Sequence, residues 1–183
     1  MFFGKSCMKT TTDNHVEITF TPEDGYALKE TRAHVGADRD DIPTKRWYRR
    51  GNRCAAPNPW KFEFRQRSSY RWYPDGGARN HVFRKCLSEL VAPSQSSCCG
   101  QDIVMTGVAW LRSTTRCGRT VKAWTAGDPF CSRSCGWNRW AMFDKHELAC
   151  LPLTSTSLST STSTSMSKST STSTSSKCDR YFI

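Results

Sequence analysis

Four residues have types that hold a metal: Cys131, Cys135, His146 and Cys150, spaced C-x3-C-x10-H-x3-C. Zinc takes four tetrahedral nitrogen or sulfur ligands, and small metal-binding modules supply two from a turn and two from one turn of a following helix. Phe130 precedes the first cysteine, and Phe143 stands three residues before His146, where such a module keeps a core apolar side chain. The central spacing of ten is shorter than the usual twelve and tightens the chain reversal between ligand pairs. In a chain with ten cysteines and four histidines, composition alone produces such spacings. The four are therefore read as thiols and a histidine of a loose fold, with zinc as the alternative and no metal or cofactor assigned.

A second constellation mixes arginine with aromatic rings. Lys45-Arg46-Trp47-Tyr48-Arg49-Arg50-Gly51-Asn52-Arg53 and Arg65-Gln66-Arg67-Ser68-Ser69-Tyr70-Arg71-Trp72-Tyr73 interleave guanidinium groups and rings. Guanidinium groups meet phosphate through a rigid fork of donors while rings stack on bases, a mixture suited to single-stranded nucleic acid held with salt-sensitive, sequence-poor affinity. The plainer reading makes the rings a core and the arginines its solvated rim, leaving non-specific affinity for nucleic acid or another polyanion through residues 45–73.

Catalytic chemistry has weaker support. His15, His34, His81 and His146 stand in no G-x-S-x-G, H-E-x-x-H or phosphate-loop context, and Ser and Cys are too abundant to discriminate. The acid pairs Asp40-Asp41 and Glu23-Asp24 are adjacent, so on a strand their side chains point to opposite faces. Gly76-Gly77 reads as a turn, and the neighbouring Cys98 and Cys99 bridge each other only under strain. No catalytic residue is assigned, and the chain is not read as an enzyme.

The elements that would position these groups follow from periodicity. Val16 to Phe20 alternates apolar and polar residues and predicts a strand ending in the turn Thr21 to Gly25. Residues 29–46 mix acids and bases without a period and read as loop. Trp60, Phe62 and Phe64 share one face and predict a hairpin with Tyr70 and Trp72, closed by residues 74–77. Val82, Phe83, Cys86, Leu87, Leu90 and Val91 recur at helical spacing, with Asn80 as N-cap and Pro93 as stop. Ile103 to Leu111 and Thr120 to Thr125 read as strands, the first buried on both sides and the second half exposed. A second helix is expected from Trp140 to about Ala149, with Asn138 as cap.

Composition limits the core. Leu, Ile, Val and Phe make up 28 of 183 residues, about 15 per cent, below the roughly 20 per cent that accompanies disorder in highly charged chains. Seven Trp and five Tyr partly compensate by burying large areas. Of the net charge of +11, residues 1–43 carry −3 and residues 44–90 carry +9, so a basic block follows an acidic start. From Thr154 to Ser176 the chain alternates Thr and Ser, broken only by Leu158, Met166, Lys168 and Ser176. Most of these exceptions lie one base change from a threonine codon, which points to an expanded two-codon repeat. Such a run offers no apolar face and cannot offset the entropy of ordering it.

The expected fold is thus a small irregular α+β body, poorly packed, with a disordered Ser/Thr-repeat tail. Its segments are an acidic, partly ordered stretch over 1–43, a basic Cys/Trp/Arg-containing body over 44–153, and a disordered tail over 154–183. No apolar stretch reaches the about 20 residues that span a bilayer, and no secretory signal is visible, so an intracellular location is the default expectation. The leading functional expectation is a weakly folded basic chain to which no specific activity is assigned, with a reading frame without selected function as its limiting case. The alternatives are a basic nucleic-acid-binding protein, zinc-dependent in one version, and a secreted disulfide-rich protein whose signal peptide lies upstream.

Overall fold

The computed structural model describes residues 3–11, 13–49, 52–68, 80–90, 101–114, 119–129, 141–148 and 176–181. Twelve strands account for most of them: β1 (Gly4–Thr10), β2 (His15–Pro22), β3 (Tyr26–Gly36), β4 (Thr44–Arg49), β5 (Asn52–Pro57), β6 (Phe64–Arg67), β7 (His81–Cys86), β8 (Asp102–Ser113), β9 (Thr120–Trp124), β10 (Asp128–Pro129), β11 (Met142–Glu147) and β12 (Ser176–Tyr181). All described strand pairs are antiparallel. Helix is limited, among the described residues, to three-residue 3-10 turns at Arg39–Asp41, Pro59–Lys61 and Leu87–Glu89. The expected irregular α+β body is therefore replaced by an all-antiparallel β architecture.

Four strands form one sheet in the order β12-β1-β2-β7, and a larger sheet runs β10-β11-β8-β3-β6. The edge of β8 opposite β3 is shared end to end: β11 pairs with residues 102–105 and β9 with residues 108–112, Trp124 lying beside Val108. Strands β4 and β5 make a separate hairpin, its base closed where Asn58 N–H donates to the Pro43 carbonyl at 2.7 Å.

The two larger sheets pack face to face. Met8, Val16, Ile18, Phe20 and Phe83 from the small sheet meet Leu28, Ala33, Val35, Ile103, Met105, Ala109 and Leu111 from the large one in a single buried cluster. Gly107 makes the closest approach possible, since a Cβ there would lie 2.7 Å from Phe20 Cζ and 3.0 Å from Thr125 Cγ2. The alternate residues of β8, Val104, Val108 and Trp110, turn the other way. There they form a second cluster with Ile42, Phe62, Trp124, Ala141 and Phe143. Strand β8 is thus buried on both faces, as its largely apolar run, broken only by Thr106 and Gly107, predicts.

Several expected elements are corrected. The helix over 82–91 is strand β7 followed by a 3-10 turn; Phe83 points into the core while Val82 is exposed. The helix from 140 to 149 is replaced, over its described part, by β11, which pairs with β8. The stretch 29–46 contains most of β3, the central partner of β8, and the start of β4. The hairpin expected from Trp60 does not form as drawn: Trp60 sits in a 3-10 turn, Phe64 opens β6, and β6 pairs with β3. Tyr70, Trp72 and residues 74–77 lie outside the described residues. The strands at 16–20, 103–111 and 120–125 match β2, β8 and β9.

The segment boundaries are crossed by pairing. Strands β2 and β3 of the acidic stretch pair with β7, β6 and β8 of the basic body. Ser176–Tyr181, read as tail, pairs with β1, while the repeat up to residue 175 lies outside the described residues.

Candidate nucleic-acid interface

The outer face of the large sheet, turned away from the small one, collects basic and aromatic side chains from four adjacent strands. Antiparallel register puts residues of one row side by side. One row reads Arg67, Glu30, Trp110, Lys122 across β6, β3, β8 and β9, and the next reads Arg65, Arg32, Val108, Trp124. Four strands at the usual spacing span about 14 Å. A bulge on β3, where Lys29 is the extra residue between Leu28 and Glu30, gives this face its composition. It lets Leu28, Ala33 and Val35 face the core while Glu30 and Arg32 face outward.

Arg32 is the hub of the face. Its side chain is 3% exposed, and Glu30 Oε1 lies 2.6 Å from both its Nε and its Nη2. Nη1 donates to the Pro59 carbonyl at 3.2 Å. The guanidinium carbon sits 3.9 Å from the centre of the Trp60 ring and 5.5 Å from that of Trp110. Trp60 is carried over it by the Pro59–Lys61 turn, whose first amide is capped by the Asn58 side chain, and it remains 71% exposed. Lys122 Nζ approaches the Trp124 and Trp110 rings at 4.8 and 5.8 Å, contacts in which the ring quadrupole attracts the cation. Loss of water beside those rings lowers the Lys122 pKa from its ordinary value.

Glu30 accepts from three arginines: Arg32, Arg65 Nε at 2.9 Å and Arg67 Nε at 2.8 Å. Burial pushes its carboxyl pKa up, but the hydrogen bonds from Arg32 and Arg67 with the surrounding positive charge outweigh this, and the net shift is downward. With Lys122, the two rows hold four cations against one carboxylate.

The basic-aromatic block of residues 45–73 is only partly here. Arg65 and Arg67 reach the face, whereas residues 45–49 and 52–57 belong to strands β4 and β5, and residues 50, 51 and 69–73 lie outside the described residues. Sequence reasoning missed Arg32, Trp110, Lys122 and Trp124 as parts of one surface. Alternation within β9 was the available signal for Lys122.

The zinc candidates are not brought together by anything described. His146 is buried on strand β11, on the face shared with Ile103, and not on the expected helix. Cys131, Cys135 and Cys150 lie outside the described residues, as do Cys98, Cys99 and Gly76-Gly77. Among the described residues no three His, Cys, Asp or Glu side chains form a metal cluster. Asp41 serves structure: with Asp38 it makes a reciprocal cap on the Arg39–Asp41 turn.

His81 has neighbours that resemble nucleophile chemistry, yet its hydrogen bonds define a tie between sheets. Ser68 Oγ donates to the Leu28 carbonyl at 2.5 Å and lies 2.9 Å from His81 Nε2. Because the serine proton is spent on the carbonyl, Nε2 is the donor to Ser68, and Nδ1 accepts from Thr31 Oγ1 at 2.6 Å. A histidine with its proton facing the serine cannot act as its base. Burial lowers the His81 pKa, and burial likewise lowers that of His34 beside Phe62.

Comparison with known protein families, curated proteins and solved structures finds no match for this chain. No helix among the described residues is long and apolar enough to cross a membrane.

Proposed function

We propose that the outer face of the large sheet binds single-stranded nucleic acid with little sequence preference. The observation that carries this is Trp60: its ring is held against a buried guanidinium at 3.9 Å, yet the side chain stays largely open to solvent. A ring fixed from below and open above is a stacking platform, and every base has a face to stack on it. Arg65, Arg67 and Lys122 flank it where phosphates would run. Affinity then falls steeply with salt, since cations that replace the counterions of phosphates set the dependence.

Fluorescence anisotropy with a labelled ten-residue oligo-dT tests the reading. Trp60→Ala, a change at an exposed site, weakens binding about tenfold or more, in line with the about 1–3 kcal/mol carried by one base-aromatic stack. Equal affinity of wild type and variant, or equal affinity for single and double strands, overturns it.

A second reading, of a protein from an oxidising compartment, is favoured by one observation: Cys7 on β1 is disulfide-bonded. Mass mapping of thiols tests this without any ligand. Iodoacetamide modifies Cys86, a half-exposed free thiol, and spares Cys7 in protein isolated under non-reducing conditions. Labelling of both removes the support.

A further inference from the structure

We propose that Arg65 and Arg67 form a seat for a phosphate group, occupied in the free protein by the Glu30 carboxylate, which an incoming phosphate displaces from these two arginines. The inference rests on the preceding reading only in taking the outer face as the ligand-binding face.

The three arginines on Glu30 are not equivalent. Arg32 is held: its side chain is 3% exposed, roofed by Trp60, and fixed to the Pro59 carbonyl. Arg65 and Arg67 are 45% and 61% exposed and project from β6, which ends the order of the large sheet. Ion pairs at such exposure are weak, because water competes for both partners and long side chains lose rotamer freedom to make them. The pair with Arg32 persists when the outer two let go, since separating buried charges leaves one uncompensated. Glu30 thus keeps a counterion throughout, and no buried carboxylate is stranded by the exchange.

The chemistry of the vacated donors selects the ligand. Arg65 and Arg67 stand two residues apart on one strand face, about 7 Å along the chain, so their forks can converge on one phosphate or grip two in succession. Guanidinium forks match the oxygens of phosphate in both direction and charge. Glu30 presents two oxygens to these same donors, Oε1 to Arg65 and Oε2 to Arg67, and so already mimics the bridging arrangement. It also lowers the affinity of the empty face for stray anions, which makes binding a replacement of one anion by another.

The test uses the full chain and follows the three arginine Nε resonances by nitrogen-15 NMR at constant ionic strength, assigned through single Arg→Gln variants. Pyrophosphate and ten-residue oligo-dT are titrated separately. The expected result is a saturable shift of Arg65 and Arg67 with both probes, with Arg32 unmoved. The paired variant Arg65→Gln/Arg67→Gln loses at least tenfold in pyrophosphate affinity. Pyrophosphate that moves none of the three resonances, or that moves Arg32 equally, overturns the seat, as does unchanged affinity in the paired variant. A pyrophosphate response without oligonucleotide binding keeps the seat and removes the nucleic-acid reading. Oligonucleotide binding that depends on Trp60 but leaves Arg65 and Arg67 unmoved does the reverse.

Discussion

Replacing Gly107 with alanine sets a methyl carbon 2.7 Å from Phe20 Cζ and 3.0 Å from Phe20 Cε1, in the middle of the contact between the two sheets. Real carbon atoms do not come this close, so the ring or the strand must move. Phe20 is fully buried and meets Phe83 edge-on at 5.9 Å, which leaves the ring little room. Overpacking of this kind costs about 1–3 kcal/mol. The lost freedom of the unfolded glycine returns about 0.4–1 kcal/mol. Gly107→Ala therefore destabilises by roughly 1–2 kcal/mol, seen in urea as a lower midpoint at unchanged slope. The decisive variant is Phe20→Leu, which deletes the ring atoms that the methyl strikes and costs about 1–2 kcal/mol alone through the space it leaves. In the double variant the methyl occupies that space, so the two costs do not add, and a coupling of about 1 kcal/mol or more appears. Costs that add within about 0.5 kcal/mol mean that Phe20 and position 107 do not touch, and the face-to-face packing of the sheets is then wrong.

Acid should weaken the fold in two stages. His81 and His34 both have pKa values lowered by burial, so the unfolded chain takes up their protons first as pH falls. Stability is full above about pH 6.5 and declines below it by up to about 1.4 kcal/mol per pH unit for each histidine, until the folded-state values are passed. Glu30, lowered from 4.5, adds a loss that starts only below that value. Urea midpoints at pH 7.5 and 5.5 check the histidine stage, and equal midpoints refute it. His81→Phe should reduce the slope in this window, although it also leaves Ser68 and Thr31 without their shared partner.

Legibility in the sequence followed the number of buried faces and their chemistry. Strand β8 was readable because both faces are apolar, and β2 because its alternation is clean: Val16, Ile18 and Phe20 inward, with Glu17 and Thr19 between. Strand β3 was hidden by two features that act together. Its outer face buries Arg32 against Glu30 and Trp60 in place of an aliphatic residue, and the bulge at Lys29 breaks the period of two in mid-strand. The false helix at 82–91 arose because β7 and the 3-10 turn after it place Phe83, Leu87 and Leu90 in one core, and residues from two elements happened to fall three and four apart. The outer face was legible only as an excess of Arg and Trp. Which of them share a surface depends on pairing between residues up to 80 positions apart, and local pattern carries no record of that.

The pairing of β12 with β1 alters what the Thr/Ser repeat means for the fold. Leu148, whose N–H donates to the Gln101 carbonyl at 2.8 Å, and Ser176, paired with Lys9, mark two fixed ends with 27 residues between them. The repeat joins these two ends, so its length sets the cost of bringing them together. Closure cost grows with the logarithm of length, about 0.6 kcal/mol for each doubling, so one further Thr-Ser unit changes stability by less than about 0.1 kcal/mol. Slippage that adds or removes whole two-codon units keeps the reading frame and hardly registers in the folded ensemble. The repeat can drift in copy number from one allele to the next while both sheets stay intact.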